Sequence, residues 1–201
     1  MYLNVPSTER AALSQLENHL GLRPARPARL VPFGPKGLCY WNCDRYIAQR
    51  GGKIVYGWQV QGVPNLFFRL MHHAVVRVAS GQLIDPTEFN GATKGETTII
   101  LDDRITPPRD YPAFVQNQYF QLPNGQESLE RCRQAEEHQL ALYRQTMAVA
   151  RAAGIRWVPR EGLDLARLPA AVAVMEQLEE AAKNIDRAHA FARAAQDALT
   201  Q

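Results

Sequence analysis

Cys39, His73 and Asp85 are residues whose types and order could support nucleophilic catalysis. A thiol attacks as a thiolate, a histidine can move its proton, and a carboxylate can orient and stabilise the imidazolium. Cys39 follows the loop Pro35–Leu38 and precedes a run compatible with a helix. The N–H groups and the dipole of a helix N-terminus favour a negative charge, so a cysteine there ionises more readily. The pattern predicts a thiol nucleophile at Cys39.

Two of these positions have a rival close by. Cys43 lies one turn further along the predicted helix, where the dipole has less effect, and we interpret it as a packing residue. His72 and His73 are neighbours in a predicted strand and point to opposite faces, so only one of them can meet Cys39. Alternation places His72 on the more apolar face but does not by itself choose the base.

The pattern of apolar and turn residues predicts the elements that position this set. A helix begins at about Cys39, covers residues up to Arg50 and ends at the Gly51-Gly52 pair. Runs rich in Ile, Val, Tyr and Trp, separated by turn residues, predict strands. These strands cover residues 53–60, residues 66–78 as one strand or two, and residues 82–85, 97–101 and 119–122.

A predicted hairpin sets the distance between the histidine and the aspartate. A turn at Ser80-Gly81 brings Asp85 opposite residues 75–77, within a residue or two of His73. A carboxylate at that place could hold the imidazole in one tautomer. The sequence Asp-Pro-Thr after the strand also has the composition of a plain turn.

The chain divides into three predicted parts. Residues 1–37 hold a helix over 8–20, capped by Ser7 or Thr8 and ended at Gly21, and then an extended Pro/Arg-rich linker. Residues 38–125 form the core. Residues 126–201 form a helical hairpin, whose first helix ends near Gly154 and whose second covers about 165–199. The predicted inner face of the first helix carries Leu129, Cys132, Leu140, Tyr143 and Met147.

The second helix has an apolar stripe close to the period of a coiled coil. It predicts a pair that packs on itself and the core, or a surface for a partner helix or self-association.

Composition and charge narrow the class of protein. Lys and Arg total 23 and Asp and Glu 20, and the excess of three lies within residues 1–37, so the body is balanced and we expect no nucleic-acid partner. Apolar runs are too short to cross a bilayer, and the N-terminus lacks the pattern of a signal peptide, so we expect no membrane span. Three cysteines are an odd number, which favours a reducing, cytoplasmic compartment.

Three short motifs are similar to the transglutaminase-like superfamily of papain-like thiol enzymes. They are Gly37-Leu38-Cys39, His73-Ala74 and Asp85-Pro86-Thr87, within residues 35–101. The resemblance selects His73 over His72 and Cys39 over Cys43. It implies an α+β fold with a papain-like core, in which a helix packs on a small antiparallel sheet, followed here by the C-terminal helical hairpin. It covers a third of the chain and does not extend to residues 126–201.

The donor that would stabilise an oxyanion is less evident. Residues 30–36 hold no glutamine of the kind that papain-like enzymes place upstream of the cysteine. The backbone N–H of Cys39 would need a second donor, for which Trp41, Asn42 and Trp58 are the candidates.

We therefore expect a thiol-dependent hydrolase or acyltransferase that acts on an amide or peptide bond of a peptide or protein substrate. No cofactor is required. Zinc held by Cys39, Cys43 and one histidine is the competing hypothesis for these residues, but a fourth ligand is missing from the sequence. The competing hypothesis for the whole chain is a weak or inactive binding module of the same superfamily, which would use its C-terminal helices as a protein-interaction surface.

Overall fold

A computed structural model describes residues 2–89, 95–107, 115–155, 157–158, 162–163 and 171–200. The described chain forms two compact units. The first holds Met1–Gly62 and Phe68–Pro107, and the second holds Val63–Phe67 and Pro108–Gln201. Chain order gives the elements β1 Leu3–Asn4, α1 Arg10–Leu20, β2 Arg26–Gly34, α2 Cys39–Arg50, β3 Lys53–Val63, β4 Phe67–Arg77, β5 Leu83–Thr87, β6 Glu96–Leu101, β7 Gln118–Gln121, α3 Gln126–Ala152, β8 Trp157–Val158, β9 Gly162–Leu163 and α4 Ala171–Leu199.

The first unit is built on a closed barrel of five strands. The strand order is β3-β6-β2-β5-β4, and a further pairing of β3 with β4 closes the ring. The predicted papain-like core, a helix packed on a small antiparallel sheet, is therefore wrong. Two pairings separate the fold from that prediction: β2 runs parallel to β5, and β3 meets β4 to remove the open edges.

The Pro/Arg-rich segment, which was predicted to be an extended linker, forms a strand of the barrel. Its backbone is extended, as expected, but residues 26–34 form a strand that pairs with β6 on one side and β5 on the other. Pro27 lies near the beginning of this strand, and Pro32 lies where the register with β5 shifts between Leu30 and Gly34. Strand beginnings and bulges are the places where a sheet tolerates a residue without an N–H donor.

The two faces of β4 meet different apolar clusters. Ala74 and Val76 pack with Cys43 and Tyr46 of α2. Val75 packs with a second cluster, made with Ala28, Leu83, Ile99 and Leu101 of three other barrel strands. Because residues of a barrel strand alternate between inside and outside, α2 covers the outer face and the odd-numbered residues of β4 face the interior.

The N-terminal helix α1 covers the predicted segment with a different cap. Leu13 and Leu16 are fully buried, and Gly21 ends the helix in the left-handed conformation at φ +60°, as predicted. The residue before the first turn is Glu9 rather than Ser7 or Thr8, and no side chain caps the N-terminus.

The second unit contains the predicted pair of C-terminal helices, α3 and α4. Close to the end of α3, Gly154 adopts φ +70°. The helices pack together, and the Cys132 thiol lies 3.6 Å from the carbonyl oxygen of Ala188. Predictions for residues 164–170, and for the side chains of 171–176 and 178, lie outside the described residues. No helix in the described ranges has the length and apolar character needed to cross a membrane.

The face that α3 buries is not the predicted one. Among the predicted residues only Cys132 is buried, whereas the others are half-buried. On α4 the buried residues with resolved side chains are all small, namely Ala181, Ala188 and Ala192. The residues that α3 buries are polar as well as apolar, namely Ser128, Cys132, Glu136, Leu142, Thr146 and Ala150.

Gly57 provides a test of the tight β3–β6 pairing that the barrel requires. It lies opposite Leu101, and a Cβ added there would be 2.3 Å from the carbonyl oxygen of Ile100. Since that atom belongs to the backbone of the paired strand, we expect Gly57→Ala to lower the free energy of unfolding by about 3 kcal/mol in urea denaturation. Gly21→Ala, which meets open space at φ +60°, is the control and should cost about 1 kcal/mol. Equal stability of Gly57→Ala and the wild type would contradict the pairing.

Candidate active site

Cys39 is the first residue of α2, as the sequence predicts. The preceding residue, Leu38, has φ −117° and makes no side-chain cap, and the first turn holds no acidic residue. The first intrahelical hydrogen bond runs from the N–H of Asn42 to the carbonyl of Leu38. The N–H groups of the first turn precede that bond and have no partner within the helix, so they surround the thiol with positive partial charge.

His73 and Asp85 form a buried pair inside the first unit. Nε2 of His73 lies 2.9 Å from Oδ2 of Asp85, and the side chains are 4% and 0% exposed. The pair forms because β4 and β5 are antiparallel, with Val76 opposite Ile84, so that Asp85 lies diagonally across from His73. The hairpin predicted from the sequence therefore brings the two residues together.

The Cys39 side chain lies close enough to the same imidazole to interact with it electrostatically. Asp85 occupies Nε2, which leaves Nδ1 as the ring nitrogen available to the thiol. Burial opposes a charge on His73, but the Asp85 carboxylate and the Cys39 sulfur outweigh it and raise the pKa of His73 well above its usual value. Cys39 is half-buried, whereas His73 and Asp85 are buried.

Asp85 accepts two further hydrogen bonds from buried groups. The Thr97 hydroxyl donates to Oδ2 at 2.8 Å, and the backbone N–H of Thr87 donates to Oδ1 at 3.0 Å. Asp85 is thus held by donors from three strands, β4, β5 and β6. The bond to the N–H two residues on is a common use of aspartate and was readable from Asp-Pro-Thr. Thr97 has no comparable local signal, because only the barrel brings β6 beside the interior face of β5.

His72 occupies the opposite face and belongs to an aromatic cluster under α2. Its Nδ1 lies 2.8 Å from the hydroxyl of Tyr40, and its ring stacks on Tyr56 at 6.1 Å. Burial, with the nearby His73, lowers the pKa of His72 to about 4, although Asp102 and the Ile105 carbonyl act in the opposite sense. His72 is therefore a neutral packing residue near pH 7, and Tyr40 is its partner, which the sequence did not indicate.

Two of the three predicted oxyanion donors are engaged elsewhere. The side-chain amide of Asn42 donates to the Pro35 carbonyl at 2.8 Å and to the Thr87 hydroxyl at 3.2 Å, which uses both of its hydrogens. The indole N–H of Trp58 donates to Asp102 at 2.9 Å. Trp41 packs half-buried against the apolar cluster under α2, with its ring 6.0 Å from that of Tyr40.

The remaining cysteines do not join the site. Cys43 is fully buried in the cluster beneath α2, and Cys132 lies in the second unit. Within the ranges that the structure describes, no group of three or more His, Cys, Asp or Glu side chains is arranged to hold a metal ion. Cys39, His73 and Asp85 thus come together, with the Asp85 carboxylate hydrogen-bonded to the imidazole and the Cys39 side chain beside it.

The buried pair predicts a pH dependence of stability. A pKa of His73 raised above about 6.5 stabilises the fold at lower pH, and this stabilisation is lost as pH rises through the raised value. Asp85→Asn removes the anion that holds the proton. We therefore expect the stability difference between wild type and Asp85→Asn to be largest near pH 6 and to shrink towards pH 10, measured by urea denaturation.

Thr98→Val is the matched control for this measurement, because it removes a buried hydroxyl of β6 that has no hydrogen-bond partner. Its stability difference should not change over the same range. A difference for Asp85→Asn that grows with pH would contradict a protonated His73.

Comparison with known proteins gives no match, whether with family models, curated proteins or solved structures. The relation to the transglutaminase-like superfamily therefore stays a prediction carried by three short motifs, and the function has to be argued from the site itself.

Proposed function

We propose that this chain is a thiol-dependent hydrolase or acyltransferase that attacks an amide or peptide bond through Cys39, His73 and Asp85. One observation carries the proposal: the half-buried Cys39 at a helix N-terminus interacts electrostatically with a buried histidine whose Nε2 hydrogen-bonds a buried aspartate. A buried polar relay is costly to maintain unless every member has a partner. Such groups concentrate where chemistry needs them.

The proposed reaction has two steps. The Cys39 thiolate attacks the carbonyl carbon, and protonated His73 gives its proton to the leaving nitrogen as the C–N bond breaks and a thioester forms. Water, or an amine in an acyl transfer, then attacks the thioester while His73 takes up its proton. The acyl group leaves with the new nucleophile and the thiolate is restored. Asp85 keeps its charge throughout and stabilises the imidazolium.

The oxyanion is assigned to backbone N–H groups. Because the amide of Asn42 and the indole of Trp58 are engaged, the donors at hand are the N–H of Cys39 and its neighbours in the first turn of α2. These groups carry the positive end of the helix dipole and need no side chain to be repositioned. The missing glutamine is compatible with this arrangement.

The proposed substrate is a peptide or protein. Trp41 and Tyr56 are half-buried and adjoin the cluster that contains Cys39, so they could contact the apolar part of an acyl group. All three cysteines are free thiols, which supports a reducing compartment such as the cytoplasm.

A weak or inactive binding module is the second candidate function. The hydrogen bonds that Asn42 and Trp58 already make favour this second function, because fewer side-chain donors remain to stabilise an oxyanion. In that case the half-buried apolar residues of α3, such as Leu140 and Met147, would contact a helical partner or a second copy.

Acyl-enzyme formation distinguishes the two functions. We expect p-nitrophenyl acetate to release about one equivalent of p-nitrophenolate per chain in a burst, because its acetyl group is transferred to Cys39 as a thioester. Intact mass spectrometry and peptide mapping should locate the acetyl group on Cys39, and hydroxylamine should remove it. His73→Gln should slow the burst at least about tenfold near pH 7.

Cys39→Ser and His72→Gln are the controls. The first should abolish the burst, and the second should leave it intact because the imidazole of His72 is paired with the Tyr40 hydroxyl and not with Asp85. Acetylation spread over lysines, or independent of His73, would contradict catalysis and favour the binding module.

A further inference from the structure

A closed ring of contacts joins the nucleophile to the residues that activate it. Cys39 interacts electrostatically with the imidazole of His73, and Nε2 of His73 hydrogen-bonds Asp85. The N–H of Thr87 bonds Asp85, the Thr87 hydroxyl accepts from Asn42, and Asn42 lies one turn along α2 from Cys39. The ring therefore begins and ends on the same helix.

The side-chain amide of Asn42 makes two hydrogen bonds that fix the first turn of α2. It is 1% exposed, and its amide reaches the carbonyl of Pro35 in the loop before the helix as well as Thr87 on β5. The first bond fixes the entry of the chain into α2. The second ties the helix to the strand that carries Asp85.

The side-chain amide of Asn42 occupies the space where a side chain at residue 34 would lie. A Cβ at residue 34 would lie 2.0 Å from Oδ1 of Asn42, so any side chain at that position would displace the amide. Residue 34 pairs with Thr87 in the parallel β2–β5 ladder, and its carbonyl accepts from the N–H of Glu88. The amide of Asn42 thus lies against the end of β2. Residue 34 must be glycine because a side chain would collide with that amide, and not because its backbone angles require glycine.

We propose that Asn42 and Thr87 are positioning residues that hold the Cys39 thiol beside the imidazole of His73, through one hydrogen bond between α2 and β5. This inference rests on the proposed function and extends it beyond the three residues of the relay. Neither residue touches the sulfur or a reacting atom. They set the distance between α2 and β5. A small change in that distance would lower the reactivity of Cys39, because the thiol and the imidazole must remain in contact.

Substitutions at Thr87 isolate the single hydrogen bond. Thr87→Val keeps the shape of the side chain and the N–H to Asp85 but removes the acceptor for Asn42, whereas Thr87→Ser keeps the acceptor. Thr98→Val is the matched control, since it removes a buried hydroxyl of the same unit outside the ring. Gly34→Ala displaces Asn42 without removing any donor or acceptor.

The measurement is the rate at which iodoacetamide labels Cys39 between about pH 5 and 9, resolved by peptide mapping, with Tm recorded for each variant. We expect Thr87→Val and Gly34→Ala to slow labelling near pH 6 by about tenfold and to move the profile towards that of His73→Gln. Thr87→Ser and Thr98→Val should keep the wild-type profile. Loss of folding in Gly34→Ala leaves Thr87→Val against Thr87→Ser as the deciding comparison.

Failure of this inference differs from failure of the proposed function. If wild-type labelling depends on His73 but Thr87→Val and Thr87→Ser have the same profile, the positioning role is wrong and the relay stands. If wild-type Cys39 labels no faster than His73→Gln at any pH, the relay itself is wrong, and the positioning role with it.

Discussion

The hydrogen bond between His73 and Asp85 is the interaction on which the rest of the first unit depends. Two charged groups without access to water are destabilising unless donors and acceptors surround them. Here the carboxylate has three donors, from the imidazole, the Thr97 hydroxyl and the Thr87 N–H. These donors come from three strands, so the ion pair can exist only when the barrel is formed around it. The barrel in turn decides which histidine meets Asp85, because it places His73 inside and His72 outside.

Contact between Cys39 and His73 also requires a fixed distance between α2 and the barrel strands. Apolar packing of Cys43 and Tyr46 against the outer face of β4 holds α2 in place, but such contacts are non-directional and permit small slides. The hydrogen bond from Asn42 to Thr87 is directional and fixes the remaining degree of freedom. Apolar packing therefore sets the orientation of α2, while the hydrogen bond from Asn42 to Thr87 sets the position of the Cys39 thiol relative to the His73 imidazole.

Local features were readable from the sequence. The beginning of α2 at Cys39, its end at Gly51, and the hairpin that brings Asp85 to His73 all follow from short patterns. They depend on residues close together in the chain.

Non-local features were not readable. The prolines in β2 hid a central strand, because their tolerance depends on a bulge that only the partner strand reveals. Thr97 and Thr87 gained their roles from the closing of the barrel. Asn42 was expected to be a donor to an oxyanion, and its type was informative, but its acceptors lie in a loop and a strand whose placement no local pattern specifies. The predicted inner face of α3 was wrong, because the helix buries polar residues such as Ser128, Glu136 and Thr146 that an apolar pattern does not select.

The most direct test of the relay is the ultraviolet absorbance of the Cys39 thiolate, taken as the difference between wild type and Cys39→Ser over a range of pH. A sulfur in contact with a protonated His73 should show thiolate absorbance near pH 7, and His73→Gln should remove it while the matched variant His72→Gln should not. Absorbance that rises only near pH 8.5, the range of an ordinary thiol, and that is the same in wild type and His73→Gln would contradict an activated nucleophile at Cys39.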